Sequence, residues 1–291
     1  MKYFLVFFFL FSNIGLASTG GEPPLWNSQD MVSLYHHNSF LQMSWAQNVI
    51  FENHTFKNNE KVIDYGSGDG KITALISKLI PNGEIIGLDI SDDMTSFSRK
   101  KYPSFNYPNL RFQKVTSVDP IPESFNDVDI IYSSCVFHLV QNPEIVFHEM
   151  YRSLKIGGKL AVVFPFMDRE TPLMRASAEV YAEYNISFPK MSDDSVSIRS
   201  TESGIQKMAE RFGFKTLKMR VKESINPFIS KKEFVDWIDA TLSGNQVIPA
   251  EIRRVVAEKT VHKYLQFSPE DQLADGVIYY RFPIVEYVAQ K

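Results

Sequence analysis

Between Lys61 and Phe166 the sequence alternates short, β-branched apolar runs with longer stretches of helical spacing, and few folds tolerate that rhythm. The runs are "KVIDY", "EIIGLDI", "LRFQKV", "DVDIIYSS" and "KIGGKLAVVFPF"; the helical stretches are "GKITALISKLI", "SDDMTSFSRKKY" and "NPEIVFHEMYRSL". Continuous apolar runs predict strands buried on both faces, and helices between them predict a mostly parallel sheet. The expected fold class is therefore α/β with a doubly wound sheet. In such sheets ligands bind beyond the carboxyl ends of the strands, where the strand order reverses. The first run ends at Asp64 and Tyr65, directly ahead of the glycine-rich "GSGDG".

The flanks are more helical. From Asp30, a candidate N-cap, to Asn53, the residues Met31, Leu34, Leu41, Trp45 and Val49 fall at helical spacing. Trp45, with Leu41 and Val49, reads as packing on a buried stripe. Beyond Phe166, helices are predicted near 169–185, 201–212 and 231–266, with a strand near 214–222 and a last strand in "GVIYYRFPIVEYVAQ". Segments near 30–53, 169–200 and 226–272 are candidates for a helical lid over the crevice. Residues 26–291 read as a single domain. Residues 1–20 read as a signal-like leader: Met1 and Lys2, the apolar "YFLVFFFLF", then small residues including Gly15 and Ala17. That apolar core is short for a membrane span of ~30 Å, so membrane contact is expected only through an uncleaved leader. "GGEPPLW" reads as a linker.

Composition narrows the ligand. A formal net charge of −3 leaves no electrostatic footprint for nucleic acid. The single cysteine, Cys135, rules out an intrachain disulfide and reads as a small core residue. The six histidines are scattered, with the adjacent His36 and His37 directed to different sides of a helix, and no Cys/His group has zinc-ligand spacing, so no metal is expected.

A dinucleotide fingerprint requires G-x-G-x-x-G. After Gly66 and Gly68 its third glycine falls at 71, where Lys71 stands; the spacing found is G-x-G-x-G, with Ser67 inside it and Gly70 closing it. Asp64 precedes the first glycine by two positions. A carboxylate there opposes a diphosphate but suits a nucleoside with a positive end, and S-adenosyl-L-methionine carries an ammonium and a sulfonium with no phosphate. Asp89 ends the next strand, nineteen residues after Gly70, placed to take both ribose hydroxyls through its two oxygens.

These motifs, with "LWNSQDMVSLYHHNSFLQ", "GLDISDDM", "SSCVFHLVQNP", "EMYRSLKIGGKL" and "YYRFPIVEYVAQK", give a chain that resembles the class I S-adenosylmethionine-dependent methyltransferases. It is most similar to the juvenile hormone acid and trans-aconitate O-methyltransferase group. The resemblance implies a seven-stranded, Rossmann-like methyltransferase sheet with lid insertions. It also implies that Asp64, Gly66, Ser67, Gly68 and Gly70 line the methionine end of the donor. Asp89, Ile90 and Met94 would surround ribose and adenine, and Ser133 and Ser134 would offer backbone contacts to the ammonium. The aspartate that family members place after the third strand is replaced here by Thr116 or Ser117, with Asp119 out of register.

For the acceptor, a carboxylate is already ionised at neutral pH and needs an orienting hydrogen-bond donor rather than a base. By the resemblance Gln42 is that donor. His138, after the fourth strand, is expected at the mouth of the site as a second catalytic candidate, and Arg169, Arg175 and Arg199 as clamps for further carboxylates. Leu139 stands where the insect enzymes have tryptophan, which argues against the same hormone-like acceptor; Trp45 is a candidate replacement. The expected function is methyl transfer from S-adenosyl-L-methionine to a small molecule, a carboxylic acid above others. Two alternatives stay open: a nucleotide-dependent oxidoreductase on the same fold, and an exported, non-catalytic binding protein. The leader points to export, whereas the donor is made in the cytosol.

Overall fold

A computed structural model describes residues 29–140, 142–166, 170–186, 202–243 and 248–291. The leader, the linker, Arg169 and residues 187–200 of the predicted 169–200 segment, Arg199 among them, lie outside the described residues.

Five strands carry the expected alternation: β1 (Lys61–Tyr65), β2 (Glu84–Asp89), β3 (Leu110–Lys114), β4 (Val128–Ser134) and β5 (Leu154–Pro165). Helices α3 (Lys71–Leu79), α4 (Asp92–Lys101) and α5 (Pro143–Ser153) lie between them in sequence. Two long strands, β6 (Lys215–Phe228) and β7 (Ile278–Gln290), complete a seven-stranded sheet of order β3-β2-β1-β4-β5-β7-β6. The first five pair in parallel, and β7 runs antiparallel to both β5 and β6. This is the α/β architecture expected of a Rossmann-like methyltransferase sheet. The order reverses between β1 and β4, so the crevice lies beyond Tyr65 and Ser134.

The unbroken apolar runs now have their cause. Ile63, Leu88, Ile131 and Val162 belong to one buried cluster, while Val62, Ile85, Ile130 and Ala161 belong to another. Successive strand residues face opposite sides of a sheet, so each side needs its own apolar set. Val62 and Ile63 are both fully buried, each worth about 1.5–3 kcal/mol.

The predicted helix over 30–53 is two helices, α1 (Gln29–Asn38) and α2 (Phe40–Asn53), separated at Ser39. Asp30 lies inside the first turn of α1 rather than capping it. The predicted 231–266 helix is likewise divided into α8 (Lys231–Ser243) and α9 (Ala250–Phe267), the latter entered through Pro249; proline fixes its own φ and cannot donate to a preceding helix. Helix α6 (Pro172–Glu183) is capped by the Thr171 hydroxyl accepting from the Met174 amide, and α7 (Glu202–Arg211) precedes β6. A third cluster, rich in aromatic rings, joins α2, α6, α8, α9 and the ends of β6 and β7 through Trp45, Leu173, Phe228, Phe234, Trp237, Tyr264, Tyr280 and Phe282.

Candidate functional site

The crevice at the β1/β4 reversal has two halves that share Tyr35, Gly66, Gly68 and Ser134. The apolar half is walled by Leu88, Met94, Val115, Val136, Leu139 and Val140, with Asp89, Ile90, Thr116 and Ser117 among its lining. The polar half contains Ser39, Gln42, Asp64, Ser67, Asp69, Lys71 and Tyr132.

The glycine loop forms because the chain must reverse from β1 into α3 within five residues. Gly66, Gly68 and Gly70 all have positive φ, and the Gly66 and Ser67 amides donate to the Leu88 carbonyl at 2.7 and 2.9 Å. A Cβ on Gly66 would sit 2.1 Å from Val136 Cγ2, so that glycine locks the loop against the turn after β4. A Cβ on Gly68 would meet only Tyr35 Cε1, at 3.9 Å. Its backbone is open to the crevice, which is where a ligand can approach the main chain closely.

Asp64 is 2% exposed and accepts from the Thr73 hydroxyl at 2.5 Å and from the Tyr132 hydroxyl. Burial outweighs both hydrogen bonds and pushes its carboxyl up to about 7. Asp89 takes the Gly68 amide on one oxygen, at 2.8 Å, and the Ser91 amide on the other, at 2.9 Å. Burial raises its pKa, opposed by the backbone amides of Ser91, Gly68 and Ile90. Both Asp89 oxygens are therefore already engaged by the main chain, and a ligand meets only what lone-pair capacity remains.

Of the predicted site residues, Asp64, Gly66, Ser67, Gly68, Asp89, Ile90, Met94, Thr116, Ser117, Ser134 and Gln42 line the crevice. Three predicted residues do not. Gly70 starts α3 and is closed off by the Phe112 ring, 2.6 Å from a would-be Cβ. Ser133 is fully buried and donates to the Tyr65 carbonyl at 2.8 Å, tying β4 to β1. His138 sits in the short 3₁₀ turn Phe137–Leu139, 3% exposed, and lines neither half; its neighbours Val136 and Leu139 do. The expected place at the mouth is corrected to an interior one. Arg175 is exposed, pairs with Glu179 and lies over the Phe267 ring, so it clamps no crevice ligand. Trp45 is buried in the aromatic cluster, with its indole donating to Ser224 at 2.6 Å, and does not replace the aromatic wall absent at Leu139. Cys135, partly buried against the aromatic cluster, also lines the apolar half with φ of 58°, its thiol pushed up to about 12 by burial. Of the three expected lid segments, only 30–53 supplies described lining residues.

Sequence reasoning passed over Asp69, Tyr35, Thr73 and Tyr132. Asp69 accepts from His36 Nδ1 at 2.9 Å and Ser39 Oγ at 3.2 Å, with Lys71 Nζ at 3.3 Å. Lys71 in turn donates to Ser39 Oγ at 2.9 Å and to the His36 carbonyl. This clasp fastens α1 to the glycine loop and holds Tyr35 between the two halves. The break at Ser39 follows from it, because that residue faces the loop. The acidic residue inside "GSGDG" and the lysine after it were the available signal.

The chain matches a family model described as a methyltransferase domain over residues 56–213. Arsenite methyltransferase of Halobacterium salinarum is 26% identical over 66% of this chain and 46% of its own length. Malonyl-[acyl-carrier protein] O-methyltransferase of a Paenibacillus species is 26% identical over 80% of this chain and 84% of its own. Across the first relatives the alignment takes in 46% to 84% of their length. Among solved structures, Haemonchus contortus phosphoethanolamine N-methyltransferase 2, in complex with S-adenosylhomocysteine, superposes with a TM-score of 0.55 at 13% identity, over 91% of this chain and 57% of that one.

Proposed function

Because the chain belongs to the methyltransferase domain family, we propose that it transfers a methyl group from S-adenosyl-L-methionine to a carboxylate oxygen of a small molecule. The crevice residues fit that donor: an open main chain at Gly68, a buried carboxylate at Asp64 for a positive end, and Asp89 lone pairs for hydroxyls. The apolar slot of Leu88, Met94, Val115, Leu139 and Val140 suits a flat ring. Thr116 meets that ring with a hydroxyl already accepting from the Asp119 amide at 2.9 Å. When bound, the donor would supply an electrophilic methyl on sulfur, whose transfer to an acceptor oxygen lone pair forms the O–C bond of a methyl ester as the C–S bond breaks to a neutral thioether.

The chain's own part is to orient and to exclude water. Displacement at a methyl group is accelerated mostly by positioning and desolvation. The observation that carries the acceptor class is the amide of Gln42 in the lining of the polar half. An amine or hydroxyl acceptor has a proton to lose, whereas a carboxylate does not. Gln42 offers the polar half an amide donor for such an acceptor. Similarity to an enzyme named for O-methylation of malonyl-[acyl-carrier protein] supports the same class. The juvenile hormone acid and trans-aconitate group remains our reading of the subfamily.

A labelled-methyl transfer screen over small carboxylic acids, phenols and amines tests this. Base-labile methyl esters formed from acids are the expected product; transfer to amines alone would overturn the acceptor class. We further propose that the protein acts where S-adenosylmethionine is supplied. Sequencing the N-terminus of the natural product tests whether the leader is retained.

A further inference from the structure

Gln42 and Trp237 stand 195 positions apart in sequence, yet the Trp237 indole Nε1 donates to Gln42 Oε1 at 3.2 Å. An indole N–H has no acceptor capacity. The bond therefore decides which end of the amide is which: the oxygen is committed to Trp237, and the nitrogen, with two N–H groups, is the end left to a ligand in the polar half. The terminal torsion of glutamine is broad and roughly two-fold, so nothing in Gln42 itself would choose between the ends.

The indole is in turn held by its surroundings. Trp237 is 4% exposed, with ring centroids of Tyr280, Phe228 and Phe234 at 5.5, 5.8 and 6.1 Å. Its N–H direction is set by the aromatic cluster, outside the crevice. Resting on the reading of Gln42 as the acceptor's hydrogen-bond donor, we propose that Trp237 is a positioning residue that fixes the polarity of the acceptor site. By pinning the Gln42 oxygen it makes the site donate, favouring acceptors that present carboxylate or carbonyl oxygens over those that present N–H groups.

The full chain, ¹⁵N-labelled, gives one indole signal per tryptophan, and Trp237→Phe and Trp45→Phe assign two of the three. Gln42→Ala should move the Trp237 indole proton upfield and leave that of Trp45 in place. An unmoved Trp237 signal overturns the proposal whatever the acceptor is. In turnover, the acids decanoate and trans-aconitate are compared with the amines decylamine and benzylamine, which present no oxygen. Trp237→Phe and Gln42→Ala should each raise KM for an accepted acid about three- to tenfold with kcat less affected, the range of one hydrogen bond. The double variant should be no worse than Gln42→Ala alone, since the indole has then lost its partner. Trp45→Phe removes an indole from the same cluster and should leave KM for the acid unchanged. Additive losses, or equal losses from Trp45→Phe, would make Trp237 a packing residue only. If wild type methylates no acid, the carboxylate reading falls, and the indole signals still decide whether Trp237 fixes the amide.

Discussion

The two halves of the crevice share four residues but are built on different logic. The apolar half is assembled from strand ends and the turn after β4, and its few polar atoms are mostly spoken for by the main chain: Asp89 by the Gly68 and Ser91 amides, Thr116 by Asp119. The polar half is assembled from side chains that reach one another across elements: Asp64 with Thr73 and Tyr132, Asp69 with His36, Ser39 and Lys71, Gln42 with Trp237. Backbone-held groups tolerate change around them; side-chain networks fail when one member leaves. The half proposed to hold the donor's ring is thus the sturdier, and the half proposed to hold the acceptor is the one that substitutions can retune.

The largest effect should come where the halves meet. Gly66→Val forces a side chain into Val136 at positive φ, and strain with overpacking should cost about 2–5 kcal/mol of stability, read by denaturant unfolding, and abolish binding of S-adenosylhomocysteine. Gly68→Ala meets no such obstacle, and should cost about 1–2 kcal/mol; equal losses at the two glycines would erase the distinction between a locking and an exposing position.

Next comes Asp89→Ala, which should weaken S-adenosylhomocysteine binding by about 1–3 kcal/mol in calorimetry. Asp64 sharpens the contrast through pH. Its unfolded carboxyl releases a proton near 4 and the folded one near 7, so within that window the folded state holds more protons. Stability of the ligand-free protein should therefore fall as pH rises from about 4 to about 7, and Asp64→Asn should flatten that slope. Affinity for a cationic donor should rise through the same window, as Asp64 becomes charged. Donor affinity that is level from pH 5 to 8 would remove Asp64 from the binding of charge.

Gln42→Ala should leave S-adenosylhomocysteine affinity intact and raise KM for the acid acceptor about three- to tenfold; unchanged turnover of every acid would end its assignment. The smallest effect belongs to Arg175→Ala. Its exposed pair with Glu179 should be worth no more than about 0.5 kcal/mol, with no change in acceptor KM.

How far the sequence was legible follows the same division. The strands and the glycine loop could be read because the information is local: apolar runs, glycine spacing, an acid near the tips of β1 and β2. What failed was orientation. Ser133 and Ser134 are adjacent, but neighbours in a strand point to opposite faces, and only Ser134 reaches the crevice. His138 and Leu139 share one 3₁₀ turn, and the turn buries the histidine. Gly70 looked like part of the cradle and instead begins a helix against Phe112. The clasp on Asp69 and the bond from Trp237 to Gln42 depend on partners 33 and 195 residues away, and no local pattern announces them. Splitting 30–53 into two helices belongs with these, since the Ser39 hydroxyl bonds Asp69 in the loop instead of capping α2.

That clasp bears on traffic through the crevice. Tyr35 walls both halves, and its helix hangs from a carboxylate belonging to the very turn that a donor would touch. Lifting α1 away would take Tyr35 from both halves at once and pull on the Asp69 carboxylate of the glycine loop. Spent and fresh cofactor exchanged by that route would meet a door whose hinge is part of the seat, so occupancy and closure could not be set independently.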